Sequence, residues 1–232
     1  FIRKNDSLLR LTKTCFSGKI LLHTCTNGSS ELMSNISASI VTMLYNFQLM
    51  RVAGEDGIAA YGAIMYVSFI FCAIFIGYSV GIAPVIGYHF GAGNSSELKN
   101  LLKNSLILIG IGGFLMTALS FALSAPISKI FVGYDQALYQ LTVRGFQIYA
   151  FSFLLCGINI FGSAFFTALN NGLLSAVISF LRTLLFQSGC VLILPVFLGV
   201  DGIWLAITAA ELAALIVTVS LLVANRKKYR YG

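Results

Sequence analysis

The sequence predicts an all-α polytopic membrane protein, a six-helix transmembrane bundle, and three observations predict it. Of 232 residues, 58% are hydrophobic and only 10% are charged, whereas a soluble domain carries about a quarter charged residues. Mean hydropathy is +0.89. The apolar residues gather in runs near the ~20-residue length of a bilayer-spanning helix. These runs do not alternate as barrel strands do, and lipid offers no partner for an unpaired backbone, so helices are the expected element.

Taken in order, residues 1–19 read as a cytoplasmic linker. They are polar and basic (Arg3, Lys4, Arg10, Lys13, Lys19) and lack the apolar core and cleavage site of a secretory signal. The chain starts at Phe1 rather than Met, which reads as a fragment. Residues 20–224 hold six apolar stretches: 20–50, 57–90, 98–123, 138–169, 173–198 and 202–224. Pro84 is expected to kink the second and Pro195 lies in the fifth. Residues 225–232 form a basic cytoplasmic tail.

Lysine and arginine placement orients the bundle. With a cytoplasmic amino end, the cytoplasmic segments hold Arg3, Lys4, Arg10, Lys13, Lys19, Lys99, Lys103, Arg182, Arg226, Lys227, Lys228 and Arg230. The other side holds Arg51, Lys129 and Arg144. This asymmetry accounts for the net charge of +7, and no basic face with aromatic platforms points to nucleic acid. A multi-pass protein of the cell membrane is expected, with the lipid bilayer as a partner.

Gly54-Glu55-Asp56-Gly57-Ile58 echoes Gly199-Val200-Asp201-Gly202-Ile203. Both fall in turns expected outside the membrane. An internal repeat and reuse of favourable turn chemistry both explain the match.

The chemistry should lie with polar residues inside the apolar runs. Glu31, Asn35, Ser39, Thr42 and Asn46 are spaced four, four, three and four apart, an arc of about 80° on a helix. Ser152, Cys156, Asn159, Ser163, Thr167 and Asn170 repeat the pattern, as do Thr208, Glu211, Leu215 and Thr218 below Trp204. Such stripes either pack helix on helix or line a cavity. Glu31 lies roughly 16 Å into the first run at ~1.5 Å per residue, and Glu211 is similarly central. A charged acid at that depth costs about 2.5–3.5 kcal/mol, and the default reading is functional. Without a basic partner it takes up a proton or cation, or stays protonated as a packing group. Glu31 and Glu211 are therefore the candidate ion-coupling residues. Asn35, Ser39, Thr42, Asn46, Ser152, Cys156, Asn159, Ser163 and Thr208 are the candidate cavity lining.

Other clusters are bland. Ala73, Gly77 and Gly81 form a small-residue row suited to close helix packing. The glycines of residues 87–93 follow no strand, so a nucleotide loop is not expected. Cysteines 15, 25, 72, 156 and 190 share no CxxC spacing, and His23 and His89 are far apart. No metal site is expected, and the cysteines read as small packing residues. An enzyme needs a nucleophile beside a base, or metal ligands at helical spacing, and the sequence offers neither.

Several ordered stretches carry a family resemblance. They are Gly28-Ser29-Ser30-Glu31-Leu32, Tyr45-Asn46-Phe47-Gln48-Leu49, Gly81-Ile82-Ala83-Pro84-Val85-Ile86-Gly87-Tyr88 and Gly91-Ala92-Gly93-Asn94. Further on come Phe166-Thr167-Ala168-Leu169-Asn170, Ser179-Phe180-Leu181-Arg182, Leu194-Pro195 and Gly202-Ile203-Trp204-Leu205-Ala206. In this order the chain resembles the carboxy-terminal lobe of the multidrug and toxic compound extrusion (MATE) family. The resemblance implies one lobe of a twelve-helix transporter, with an amino-terminal lobe as partner. It implies export of organic, often cationic, small molecules in exchange for sodium or protons, with no other cofactor. Glu31 falls where many relatives place an acid in their seventh helix. Cys156 occupies the place of an aspartate that some relatives use in the tenth helix. This departure puts the carboxylate pair in question and leaves Glu211 as a substitute. The rival readings are a lipid-linked sugar flippase of the same superfamily, which usually carries more basic residues in its cavity, and a non-transporting membrane subunit.

Overall fold

The computed structural model describes residues 16–229 and 231. Most of the expected linker therefore lies outside the described residues, as does the side chain of Glu31. Among the described residues the elements are helical: α1 (Gly18–Gly91), α2 (Ser95–Val132), α3 (Gln136–Ala150), α4 (Phe153–Ala168), α5 (Gly172–Ser179), a π-helical turn (Phe180–Phe186) and α6 (Gln187–Asn225).

Two of these helices are hairpins. In α1 the helical torsions break at Gly54 (φ 66°, ψ −153°), and in α6 at Gly199 (φ 57°, ψ −134°). Both values lie in a region that only glycine enters without strain. The chain reverses at Gly54, because Tyr45 stacks on Tyr61 with ring centroids 5.1 Å apart. Sixteen residues of straight helix would hold them about 24 Å apart. The two breaks, with the turns at Ala92–Asn94, Gly133–Asp135 and Leu169–Asn171, leave six rods, as the apolar runs predict. The echo between residues 54–58 and 199–203 is thus an echo of geometry. Gly57 and Gly202 extend it. A Cβ on Gly57 would sit 2.7 Å from the Cβ of Ala53 and 3.4 Å from the Leu49 carbonyl oxygen. A Cβ on Gly202 would sit 2.5 Å from the Leu194 carbonyl oxygen. Leu49 and Leu194 each stand eight residues earlier, so each hairpin closes on a glycine at the same offset.

The fourth apolar run is not one straight span. α3 and α4 meet at a 48° bend across Phe151–Ser152. No proline or glycine lies at the bend. The cause is the crossing helix α2: Gly113 brings its backbone against Phe153 and Leu154, where a Cβ would meet the Phe153 carbonyl oxygen at 2.9 Å. One turn on, the Thr117 hydroxyl donates to the Ala150 carbonyl oxygen at 3.2 Å, a carbonyl facing the break. The helix continues through Pro84 with helical torsions.

Pro195 needs a remedy, and Gln48 supplies it. A proline nitrogen cannot donate to the carbonyl four residues earlier. That carbonyl belongs to Val191, and Gln48 Nε2 donates to it at 3.1 Å from the other hairpin. In hydrocarbon an orphaned carbonyl costs several kcal/mol, so this bond ties the first rod to the fifth. The core at this level is aromatic: Trp204 is fully buried, with Tyr61 at 6.5 Å. Gly145 makes room for the indole, because a Cβ there would lie 2.8 Å from the ring.

The ends sort as expected. Asn171 Nδ2 donates to the Tyr229 hydroxyl, and Tyr231 packs edge-on against Phe165. The tail therefore shares an end with the turn at Leu169–Asn171. Arg144 and Asp201 form an ion pair at the other end.

Candidate functional site

Two of the three polar stripes interlock. Gly162 of α4 packs against Thr218 of α6, where a Cβ would come within 2.3 Å of the threonine methyl. Three residues earlier on α4, Asn159 Nδ2 donates to both the main-chain oxygen of Glu211 (2.9 Å) and its Oε2 (2.7 Å). Glu211 is only 2% exposed. The hydroxyls of Ser163, Ser175 and Ser179 form a separate cluster between α4 and α5, with contacts of 2.8 and 2.9 Å from Ser163.

The expectation that no basic residue reaches the depth of Glu211 is overturned. Arg182 donates from Nε to both carboxylate oxygens at 2.9 and 3.0 Å, and its NH2 lies 2.7 Å from Oε1. Arg182 is not a cytoplasmic-loop residue. It sits in the π-helical turn, ten residues into the fifth rod, about 15 Å deep at helical rise. The cytoplasmic count of basic residues falls from twelve to eleven, still against three. π-helical turns recur at functional sites, and this one carries the deep cation. Paired acid and base, both hydrogen-bonded, resolve the cost that either would carry alone in lipid.

The pair stands at the wall of a cavity of about 350 Å³ between the two arms of α1, the α3–α4 bend and the α5–α6 hairpin. The wall is mostly apolar, and Tyr45, Tyr61, Phe69, Tyr149 and Phe153 are its aromatic members. Thr42, Ser152, Cys156 and Glu211 line it as expected from sequence. Asn159 stands one layer behind, holding Glu211. Ser163 is withdrawn into the hydroxyl cluster. Asn35, Ser39, Asn46 and Thr208 are not part of the wall. The Ser39 and Thr42 hydroxyls donate to carbonyls of their own helix, Asn35 O at 3.2 Å and Ala38 O at 2.8 Å, so these two hydroxyls meet their hydrogen bonds without a partner helix. Asn35 and Ser39 are exposed on the lobe surface. The backbone of Glu31 lies in α1, and its side chain is outside the described residues.

Three residues of the site were not singled out from sequence. Arg182 belongs, by charge alone, with the loop residues, although its distance from Leu173 places it deep. Gln48 is recognisable only through Pro195. Tyr45 lines the cavity, and its buried hydroxyl has no hydrogen-bond partner among the described residues.

The MatE family model matches residues 32–192. Among curated protein sequences, none matches. Among solved structures, a MATE protein in complex with MaL6 is similar, with a TM-score of 0.89 at 19% identity over 98% of this chain and 52% of that one. An outward-facing multidrug resistance MATE family transporter of the MOP superfamily gives 0.87 at 18% identity, over 98% and 51%. A MOP superfamily transporter from Pyrococcus furiosus, described as having a binding pocket of reverse polarity that suggests a different function, gives 0.85 at 18%, over 93% and 49%. This chain spans about half the length of each of these. The family match covers 161 of the 232 residues, and the chain belongs to the MatE family of multidrug and toxic compound extrusion transporters.

Proposed function

We propose that the chain is the carboxy-terminal lobe of a secondary transporter that exports organic small molecules in exchange for sodium or protons. The observation that carries this reading is the Arg182–Glu211 pair, its carboxylate buried, on the wall of a largely apolar cavity at membrane depth. A carboxylate whose partner is a movable guanidinium can exchange that partner for a proton or a sodium ion. The wall around the pair then changes charge, and a ligand that prefers one charge state shifts the equilibrium. Glu31, on the first arm of α1, is proposed as the principal coupling acid and Glu211 as the secondary one. The amino-terminal lobe closes the cavity from the opposite side, in the cell membrane.

Arg182 gives the lipid-linked sugar flippase one observation in its favour, a cation in the cavity. Glu211 neutralises that cation, which weighs for the drug exporter. Vesicles holding the complete transporter, an imposed proton or sodium gradient and a cationic dye test the proposal. Glu31→Gln should abolish gradient-driven export and Glu211→Gln should reduce it. Gradient-driven transport that is unchanged in both variants overturns the coupling assignment.

A further inference from the structure

We infer that the end of the lobe carrying the basic tail holds a binding site for the headgroup of an anionic phospholipid. A cavity of about 210 Å³ lies there, where the end of α1, the start of α2 and the tail meet. His89, Phe90, Asn94, Ser95, Lys228 and Tyr229 line it. Contacts fix its two walls. On one, Asn94 caps α2 with its side chain, and its main-chain N–H donates to the His89 carbonyl oxygen at 2.9 Å. On the other, Asn171 Nδ2 donates to the Tyr229 hydroxyl, and the Tyr229 ring lies 5.8 Å from that of Phe90. Lys228 Nζ stands 5.3 Å from the Tyr229 ring centroid, so the docked tail carries an ammonium group to the cavity. His89 Nδ1 is buried and has no hydrogen-bond partner among the described residues.

The ligand class follows from charge, hydrogen bonding and position. Lys99, Lys103, Arg226, Lys227 and Lys228 are exposed at this end, and Glu97 is the described acid among them. Each lysine or arginine beside a negatively charged leaflet adds to its attraction, and basic pockets between membrane helices hold lipid headgroups. A phosphodiester brings one negative charge and several acceptor oxygens. Lys228 meets the charge, while the Ser95 hydroxyl and an Nδ1–H tautomer of His89 can donate to the oxygens. A buried nitrogen left without a hydrogen bond is costly, so a ligand that supplies an acceptor is favoured here. Position separates a lipid from a soluble anion. The exposed Tyr88 ring lies edge-on to the His89 ring at 5.3 Å, and Val85 is exposed one turn earlier. Acyl chains hanging from a headgroup in the cavity run along this outer face of α1, and tyrosine is enriched at the membrane interface. The inference does not depend on coupled transport.

The test uses the full chain in a neutral detergent. The probes are phosphatidylglycerol and phosphatidylcholine with identical acyl chains, and inorganic phosphate. Native mass spectrometry counts the lipids bound, and thermal unfolding titrated with each probe gives its affinity. The expected result is saturable binding of phosphatidylglycerol that raises the unfolding temperature, with both other probes much weaker. Lys228→Gln should weaken phosphatidylglycerol about five-fold, the effect of one lysine beside an anionic surface. Lys228→Arg should keep the affinity, and His89→Phe, which keeps a ring but no donor, should lower it. Lys227→Gln removes an exposed charge outside the cavity and should matter less than Lys228→Gln. Unfolding temperatures without lipid report whether each variant folds. Three results overturn the inference. One is equal weakening by Lys227→Gln and Lys228→Gln with His89→Phe unchanged, which shows only a basic tail drawn to any anionic surface. Another is equal stabilisation by inorganic phosphate, which makes the ligand a soluble anion. The third is equal binding of the two lipids.

Discussion

Arg182 and Glu211 meet from rods five and six, with two N–H groups of the guanidinium engaging a carboxylate that Asn159 holds from behind. Glu211 is 2% exposed, and the Arg182 side chain beside it is 22% exposed. The geometry of the pair is favourable, yet its contribution to stability is asymmetric. Removing one partner leaves a buried, uncompensated charge and costs about 3–5 kcal/mol, whereas replacing both with apolar groups of similar volume is close to neutral. Arg182→Met should therefore lower the detergent unfolding transition sharply. Arg182→Met with Glu211→Leu should recover most of the loss while still reducing ion-dependent function. Equal damage in the single and double variants would show that the charges are retained for stability alone.

Asn159 is the positioning residue of this pair. Asn159→Leu removes hydrogen bonds to the main chain and to the carboxylate of Glu211. Bonds to charged groups contribute about 1.5–3 kcal/mol each, so a loss of that order is expected in thermal unfolding. Asn159→Asp should be worse, because it sets a second carboxylate beside Glu211.

Gln48 and Pro195 allow a cleaner experiment. Gln48→Met orphans the Val191 carbonyl and should cost about 1–3 kcal/mol. Pro195→Ala restores an N–H four residues along, which can take that carbonyl back. In the Pro195→Ala background Gln48→Met should cost much less. Equal cost of Gln48→Met in both backgrounds, in a double-mutant cycle of unfolding free energies, would sever the link between the proline and the glutamine.

These relationships also show where the sequence could be read and where it could not. The six rods follow from apolar runs of bilayer length, and the hairpins at Gly54 and Gly199 fall in a five-residue echo whose first glycine takes a similar positive-φ conformation in both places. The bend at Phe151–Ser152 left no local mark, because its cause is Gly113 and Thr117 on another helix. Arg182 was legible in principle. Nine residues beyond Leu173 is about 14 Å of helical rise, close to the depth of roughly 16 Å at which Glu31 stands. Basic residues of membrane proteins concentrate in loops, so the charge of Arg182 alone does not mark it as the partner of Glu211. The stripe 35–46 looked like its two counterparts on a helical wheel. Its hydroxyls are satisfied by their own backbone, so periodicity alone could not tell an interlocked stripe from one on the lobe surface.

Tyr231 provides a pH signature outside the membrane. Its hydroxyl donates to the Leu222 carbonyl oxygen at 2.8 Å, and burial, with the neighbouring Tyr229, pushes the phenol up to about 12. A phenol that loses its proton near 10 when unfolded but near 12 when folded favours the folded tail in its neutral form. The stabilisation is complete below pH ~10 and is lost as pH rises through ~12. Release of the tail on alkaline titration should be measurable by protease access at residues 226–229. Tyr231→Phe should remove this pH dependence.

The last prediction concerns which end faces the cytoplasm. The turn at Ala92–Asn94 shares a small cavity with Lys228 and Tyr229, and Tyr229 contacts Asn171. Three connections therefore lie at one end: that turn, the turn at Leu169–Asn171 and the tail. The Gly54 and Gly199 hairpins lie at the other, the latter beside the Arg144–Asp201 pair. Lys99, Lys103, Arg226, Lys227 and Lys228 gather at the first end, and short basic segments stay in the cytoplasm. Moving Arg182 into the membrane lowers that count by one and leaves its direction unchanged. Single cysteines at positions 55 and 200, in a background with the five native cysteines replaced, should react with an impermeant maleimide in intact cells. Cysteines at 97 and 228 should react only after the membrane is opened. Labelling of 97 in sealed cells would invert the orientation while leaving the fold intact. The proposed cavity would then face the opposite compartment at each stage of transport.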